Sequence, residues 1–211
     1  MARIVFGLMA ALVCFWSTFS LGIQAQTAAP VQEYLVLATS KTSSMQKEMN
    51  ESATSGFRFV GVMGGETSFG GSEVVAIMTK ETSSLAKGRY EYRLLAASKT
   101  STMQKELQSA GNEGFEYRGQ TVFQSTFGGK EVVVILERDR EIGQHAQFEY
   151  RLLATKKTST MQKELTEAGK EGFAFVGMTV AETLMGGPEV VTILRRATAP
   201  AAPKSQNLGP K

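Results

Sequence analysis

Residues 91–138 read EYRLLAASKTSTMQKELQSAGNEGFEYRGQTVFQSTFGGKEVVVILER, and this stretch decides the fold. Glu91 to Ala97 reads as a first strand. Ser101 stands where a helix N-cap belongs: its hydroxyl can accept from a free N–H of the first turn, and Gln104, three positions on, can reach back to complete a capping box. Met103, Leu107 and Ala110 follow at i, i+4 and i+7, one apolar stripe on a short helix. Gly114 ends that helix, because its backbone can turn left-handed where a residue with a Cβ pays about 1 kcal/mol or more. Phe115 to Phe123 reads as a second strand, with Phe115, Tyr117, Thr121 and Phe123 on one face and Glu116, Arg118 and Gln120 on a wet one. Gly128-Gly129 marks a turn. Lys130 to Arg138 is a third strand, apolar on both faces from Val132 to Leu136, which places it centrally or beneath a second layer. The pattern predicts an α+β fold, a βαββ module whose three-stranded sheet has the order 2-3-1, with one helix on one face.

The same pattern occurs three times. Tyr34, Tyr92 and Tyr150 lie 58 residues apart, as do Gly56, Gly114 and Gly172, and Glu73, Glu131 and Glu189. Fixed-period self-similarity is the mark of repeat architecture. The modules span 32–80, 90–138 and 148–196, joined by short polar linkers at 81–89 and 140–147. The tail, 197–211, is rich in Ala, Pro and Lys and reads as disordered. A module of about 48 residues is marginal alone, and one face of its sheet has no cover. The modules are therefore expected to pack on one another.

Glu106-Leu107, Gly111, Gly114-Phe115 and the closing Ile135-Leu136-Glu137-Arg138 are similar to a small bacterial family of unknown function. Its short domains open on a Tyr-rich strand, carry Glu-Leu-Asn-x-x-Gly-x-x-Gly-Trp at the helix exit and close on an apolar strand ending in Arg. Phe57, Phe115 and Phe173 stand where that family often has Trp, and Asn50 alone approximates its Asn. The resemblance covers all three modules. It implies the βαββ fold and carries no established activity.

Composition narrows the function classes. The 211-residue chain is 42% hydrophobic and 20% charged, ordinary for a globular protein. A net charge of +3, without a basic run, gives no nucleic-acid surface. Arg3, the uncharged and mostly apolar stretch Ile4 to Ile23 and the site Ile23-Gln24-Ala25 read as a signal peptide over 1–25, and so as export to the periplasm or beyond. Cleavage removes the only Cys, Cys14, and leaves no membrane span; without cleavage the same segment is an N-terminal anchor.

No catalytic constellation emerges. The one His, His145, lies in a polar linker without an orienting partner. No cluster has metal-ligand spacing and no Gly-rich stretch leads into a helix as a phosphate cradle does, so no metal or cofactor is called for. The recurrent segment Lys-Thr-Ser-[Ser/Thr]-Met-Gln-Lys-Glu offers one candidate. Free N–H groups at each helix start, flanked by Lys41, Thr42 and Ser43, by Lys99, Thr100 and Ser101, and by Lys157, Thr158 and Ser159, could attract a carboxylate or phosphate. Helix capping and Met45, Met103 and Met161 pointing into a core account for much of the same recurrence. Glu73, Glu131 and Glu189 read as strand-opening charges that could pair with Lys41, Lys99 and Lys157. The functional expectation is an exported, non-catalytic repeat protein with a binding or structural role in the cell envelope, its partner a protein, an envelope polymer or a small anion. The alternative is a hydrolase-type enzyme with a Lys/Ser/Glu site at a module interface.

Overall fold

The computed structural model describes residues 31–67, 71–82, 86–124, 130–142, 147–183 and 187–198. Residues 1–25, read above as a signal peptide, Gly128-Gly129, His145 and the tail beyond Thr198 lie outside them. Each module contributes a strand, a helix and two strands: β1 (Gln32–Thr39), α1 (Thr42–Thr54), β2 (Arg58–Thr67) and β3 (Gly71–Glu81); β4 (Tyr90–Ala97), α2 (Thr100–Asn112), β5 (Glu116–Gln124) and β6 (Lys130–Asp139); β7 (Gln147–Thr155), α3 (Thr158–Lys170), β8 (Ala174–Thr183) and β9 (Gly187–Thr198). The sheets have the orders β1-β3-β2, β4-β6-β5 and β7-β9-β8, antiparallel throughout. The 2-3-1 order and the α+β class read from the sequence are those of the structure.

The apolar centre of β6 explains how modules join. Val132, Val134 and Leu136 pack with Met103, Leu107 and Ala110 of their own helix, α2. Val133 and Ile135, on the opposite face, pack with Met45, Met49 and Ala53 of the preceding helix, α1. The middle sheet is therefore covered twice, and α1 and α2 each lie between their own sheet and the next one. Tyr150 and Ile193 of the third module close the second core in the same way. The third core, Ala168, Phe173 and Leu194, is small, because among the described residues no further sheet packs on α3. Met161 is accordingly only half-buried, whereas Met45 and Met103 are buried as expected.

The helix exits follow the sequence reading. Gly56, Gly114 and Gly172 have φ of 92°, 85° and 86°. Gly114 N–H donates to Gly111 O and Phe115 N–H to Ala110 O, both at 3.0 Å, which is a Schellman closure satisfying two terminal carbonyls. The other two exits repeat it.

Two local expectations are corrected. The helices start two residues earlier than the Ser N-caps imply, at Thr42, Thr100 and Thr158. Lys41, Lys99 and Lys157 are the N-caps, and no side chain caps the first turn. Ser43, Ser101 and Ser159 thus sit inside the helix, and the Gln residues of the supposed capping box do different work. The second strand also does not alternate cleanly. Its register shifts between Tyr117 and Gly119, so Thr121 opposes Val133 and moves to the face away from Phe115 and Tyr117, while Gln120 opposes Val134. A one-residue bulge exchanges the faces of everything beyond it. Equivalent shifts occur between Phe59 and Gly61 and between Phe175 and Gly177.

Candidate functional site

The polar residues with the most elaborate geometry lie at the two junctions between modules. An edge strand leaves every second N–H and C=O without a ladder partner. Strand β4 is such an edge, and α1 supplies the missing partners. Tyr92 N–H donates to Asn50 Oδ1 at 2.9 Å, Asn50 Nδ2 donates to Tyr92 O at 2.9 Å, and Leu94 N–H donates to Gln46 Oε1 at 2.8 Å. One turn of helix separates the two amides, matching the two-residue repeat of the strand edge. The second junction repeats the device with two glutamines. Leu152 N–H and Tyr150 N–H donate to Gln104 and Gln108, at 2.7 and 3.1 Å, and Gln104 Nε2 donates to Tyr150 O at 2.8 Å.

The Tyr side chain locks each junction from the other direction. Tyr92 is buried; its hydroxyl accepts from Phe59 N–H at 2.8 Å and donates to Glu137 Oε2 at 2.8 Å. Tyr150 accepts from Tyr117 N–H at 2.7 Å and donates to Phe115 O at 2.9 Å. Burial, and then the charge of Glu137, push the Tyr92 phenol well above its ordinary value, so it stays protonated. Burial pushes Tyr150 and Tyr117 up as well, Tyr117 to about 12.

Glu137 is the most enclosed acid described, its side chain 1% exposed. Arg58 of the first module reaches it through Nη2 at 2.9 Å, and Arg118 of its own module through Nη2 at 2.7 Å. The hydrogen bond to Glu137 raises the Arg58 pKa further. Beside this cluster opens a polar cleft of about 290 Å³, walled by Arg58, Arg89, Arg118, Glu116, Glu137 and Asp139 among others. Arg89 pairs with Asp139 at 2.7 Å and with Glu141 at 3.0 Å. Every guanidinium in the cleft therefore already faces a carboxylate, and the walls contain neither Lys nor Ser.

The recurrent helix-start residues stand elsewhere. Lys41, Lys99 and Lys157 are exposed, as are Ser43, Ser101 and Ser159; Thr42 and Thr100 are half-buried and Thr158 is exposed. Each trio stands on its own module at the entry of its own helix. Beside Lys99 and Thr100 lies a mainly apolar crevice of about 10 Å³, walled by Met103, Val132 and Leu152, room for one water at most. Glu189 pairs with Lys156 at 3.7 Å, one residue before the expected Lys157.

A further set of charges surrounds the helix exits. The Phe115 ring lies between the guanidiniums of Arg93 and Arg138, at 4.3 and 4.6 Å, and Phe173 between those of Arg151 and Arg196, at 4.2 and 4.6 Å. Arg93 pairs with Glu113 and Arg138 with Glu91. These are cation–π and ion-pair clamps on the Schellman Phe. Sequence reading missed both the clamps and the amide pairs. The signal for the latter was a Gln followed four residues later by Asn or Gln, off the Met stripe, in the first two helices.

No group of three or more His, Cys, Asp or Glu able to hold a metal occurs among the described residues, and no described helix is long and apolar enough to cross a membrane. The class defined by fold and site is thus a tandem βαββ repeat whose polar residues join module to module. Comparison with protein-family models, with curated proteins and with solved structures gives no match to this chain.

Proposed function

We propose that the protein is an exported, non-catalytic repeat protein with a binding or structural role in the cell envelope. The observation that carries the non-catalytic reading is the state of the first junction. Arg58, Arg118 and Tyr92 all engage Glu137, across and within modules, and Arg118 engages Glu116 as well. A catalytic acid or base needs a reactive atom free to meet substrate and a pKa near the working pH. The Tyr92 phenol and the Arg58 guanidinium lie far from that condition. The export reading rests on the sequence of residues 1–25, and the family resemblance at the helix exits is compatible with it. A protein or an envelope polymer suits extended, repeated faces better than a small anion does.

The test has two arms. Purified protein is incubated with chromogenic ester, amide, phosphoester and glycoside substrates. No turnover above that of a heat-denatured control is expected; turnover abolished by Lys99→Ala or Glu137→Gln overturns the non-catalytic reading. Cell fractionation with protease shaving of spheroplasts tests placement: the chain should be degraded from outside the inner membrane, and protection inside it refutes export.

A further inference from the structure

The two junctions are built to one plan, and among the described residues the first and third modules each carry an unmatched half of that plan. On the first module, Tyr34 corresponds to Tyr92 and Tyr150. It is 67% exposed, whereas they are 2% exposed. Val36, in register with Leu94 and Leu152, is also exposed. The outward N–H and C=O of Tyr34 and the N–H of Val36 have no amide side chain on them among the described residues. On the third module, α3 presents Gln162 and Thr166 where α2 has Gln104 and Gln108, and both are exposed. Lacking a strand, Gln162 Nε2 donates to the neighbouring Thr166 hydroxyl at 3.2 Å. Phe175, whose counterpart Phe59 is 9% exposed beneath the second module, is 56% exposed.

The shapes of the two ends also correspond. In the first junction, the β5 backbone at Gly119 rests on the Phe59 ring, at 3.3 Å from where a Cβ would stand; in the second, Gly177 rests on Tyr117. Gly61 is the same position in the first module, and nothing lies within 4 Å of it. An exposed Phe175 at one end is thus matched by an uncovered Gly61 at the other. Gly169 on α3 is likewise open, whereas its counterpart Gly111 lies against Phe148 and Tyr150 of the following module.

Charge sets the pairing. Arg58 meets Glu137 across the first junction, and Glu116 meets Arg195 across the second, with the signs reversed. The corresponding tail and head positions left over are Ala174 and Thr79. Both are neutral, so closing them together buries no unpaired charge.

We infer that a second copy of this chain docks its first module on α3 and β8 of the third, continuing the internal junction between molecules. The tail amide Gln162 then bonds the Tyr34 C=O and the Val36 N–H, as Gln104 bonds Tyr150 and Leu152. The Tyr34 hydroxyl takes the Phe175 N–H, as Tyr92 takes that of Phe59. Such a contact is heterologous, so it grows head to tail into a ring or an open fibre. Thr166 offers one hydroxyl where Gln108 offers an amide, so the intermolecular junction is weaker than the internal ones and depends on concentration. The inference rests on the binding or structural reading above and names its partner as the chain itself.

Sedimentation velocity of the full exported chain from about 1 to several hundred µM, with Tyr34→Arg and Gln162→Arg, tests it. Both positions are exposed, so each variant should melt with the parent, which is checked first. The parent is expected to grow with concentration. Each variant alone should associate at least about thirtyfold more weakly, because one buried surface then carries an unpaired charge. An equimolar mixture of the two should form a dimer and nothing larger, since one partner retains only its head and the other only its tail. A parent that stays monomeric throughout overturns the inference, as does a variant that associates like the parent or a mixture that forms no dimer. A monomeric parent leaves the non-catalytic reading standing with a different partner; substrate turnover would end that reading whatever the oligomeric state.

Discussion

Replacing Gly111 and Gly169 by Ala, one at a time, places the same methyl group at the same turn of two helices and should give opposite results. Both glycines lie near the helix end, where Ala is favoured over Gly by up to about 1 kcal/mol. Around Gly169 nothing lies within 4 Å, so Gly169→Ala should retain that gain. At Gly111 an added Cβ would stand 2.3 Å from the Phe148 carbonyl oxygen and 2.9 Å from the Tyr150 ring. Strand β7 cannot retreat freely: the β9 ladder holds it on one side and the Gln104 and Gln108 amides on the other. Overpacking of this kind costs about 1–3 kcal/mol. Set against the helix gain, Gly111→Ala comes out roughly 0–2 kcal/mol less stable than the parent, and about 1–3 kcal/mol below Gly169→Ala. Urea unfolding at low protein concentration, read by tyrosine fluorescence and circular dichroism, measures both. The first junction supplies the way the reasoning could fail, because α1 has a buried Ala53 at this position. If the second junction relaxes to accommodate a methyl as the first does, Gly111→Ala will be as stabilised as Gly169→Ala, and the close approach of helix and strand will have been misjudged.

Glu137→Ala should cost about 1–3 kcal/mol, since it leaves the buried Tyr92 hydroxyl without its acceptor, while Arg58 and Arg118, 43% and 32% exposed, can turn to the water of the cleft. Glu116→Ala, on a half-exposed pair with Arg195, should cost about 1 kcal/mol or less; equal losses in thermal melts would refute the distinction. Acid should destabilise the fold. Burial alone would raise Glu91, but Arg138 and Arg140 outweigh it and hold the carboxyl low, and Arg89 does the same for Asp139. The unfolded chain therefore takes up protons first, and stability present at neutral pH is lost as pH falls below the ordinary carboxylate values of 4.5 and 3.8. A melting temperature flat from pH 6 to pH 3 would contradict this. Alkali should act with the opposite sign. The raised Tyr92 and Tyr150 keep protons that the unfolded chain releases above the ordinary value of 10, so stability falls as pH rises past it. Denaturant midpoints at pH 8 and pH 11 should diverge less in Tyr92→Phe than in the parent, and an unchanged divergence would remove Tyr92 from the account.

The fold was legible because its decisive signals are local. The Gly-Phe helix exit is a closed hydrogen-bond motif that needs no distant partner, and the run from Val132 to Leu136, β-branched at its first four positions, favours a strand with two dry faces. The junctions were not legible to the same degree, because their chemistry is pairwise across 33 to 79 residues of chain. Gln46 and Gln104 fit a capping box as well as they fit a strand edge, and only the structure shows the edge within reach. The bulge before Gly119 likewise has no signature in an alternating pattern, so Thr121 and Gln120 were assigned to the wrong faces. Glu137 could have been noticed as an acid closing an apolar strand. Its counterparts, Thr79 and Arg195, differ so completely that repetition gave it no weight.

Those differences are themselves informative about order. Positions 58, 116 and 174 hold Arg, Glu and Ala on the side of each module that faces forward, and positions 79, 137 and 195 hold Thr, Glu and Arg on the side that faces back. Module one meeting module three would oppose Arg58 with Arg195, and module two meeting a copy of itself would oppose Glu116 with Glu137. Module one meeting its own kind, module two meeting module one, or module three meeting either of the later two, would leave a charge facing Thr or Ala. The two observed junctions pair opposite charges. The one remaining combination without a like or unpaired charge is module three meeting module one. Specificity among near-identical repeats requires that wrong pairings be penalised as well as right ones favoured, and here the penalty falls on one pair of positions per junction. The modules share the Schellman exit and the amide-reading helix because every junction needs them. They differ at these two positions because each junction must be recognised.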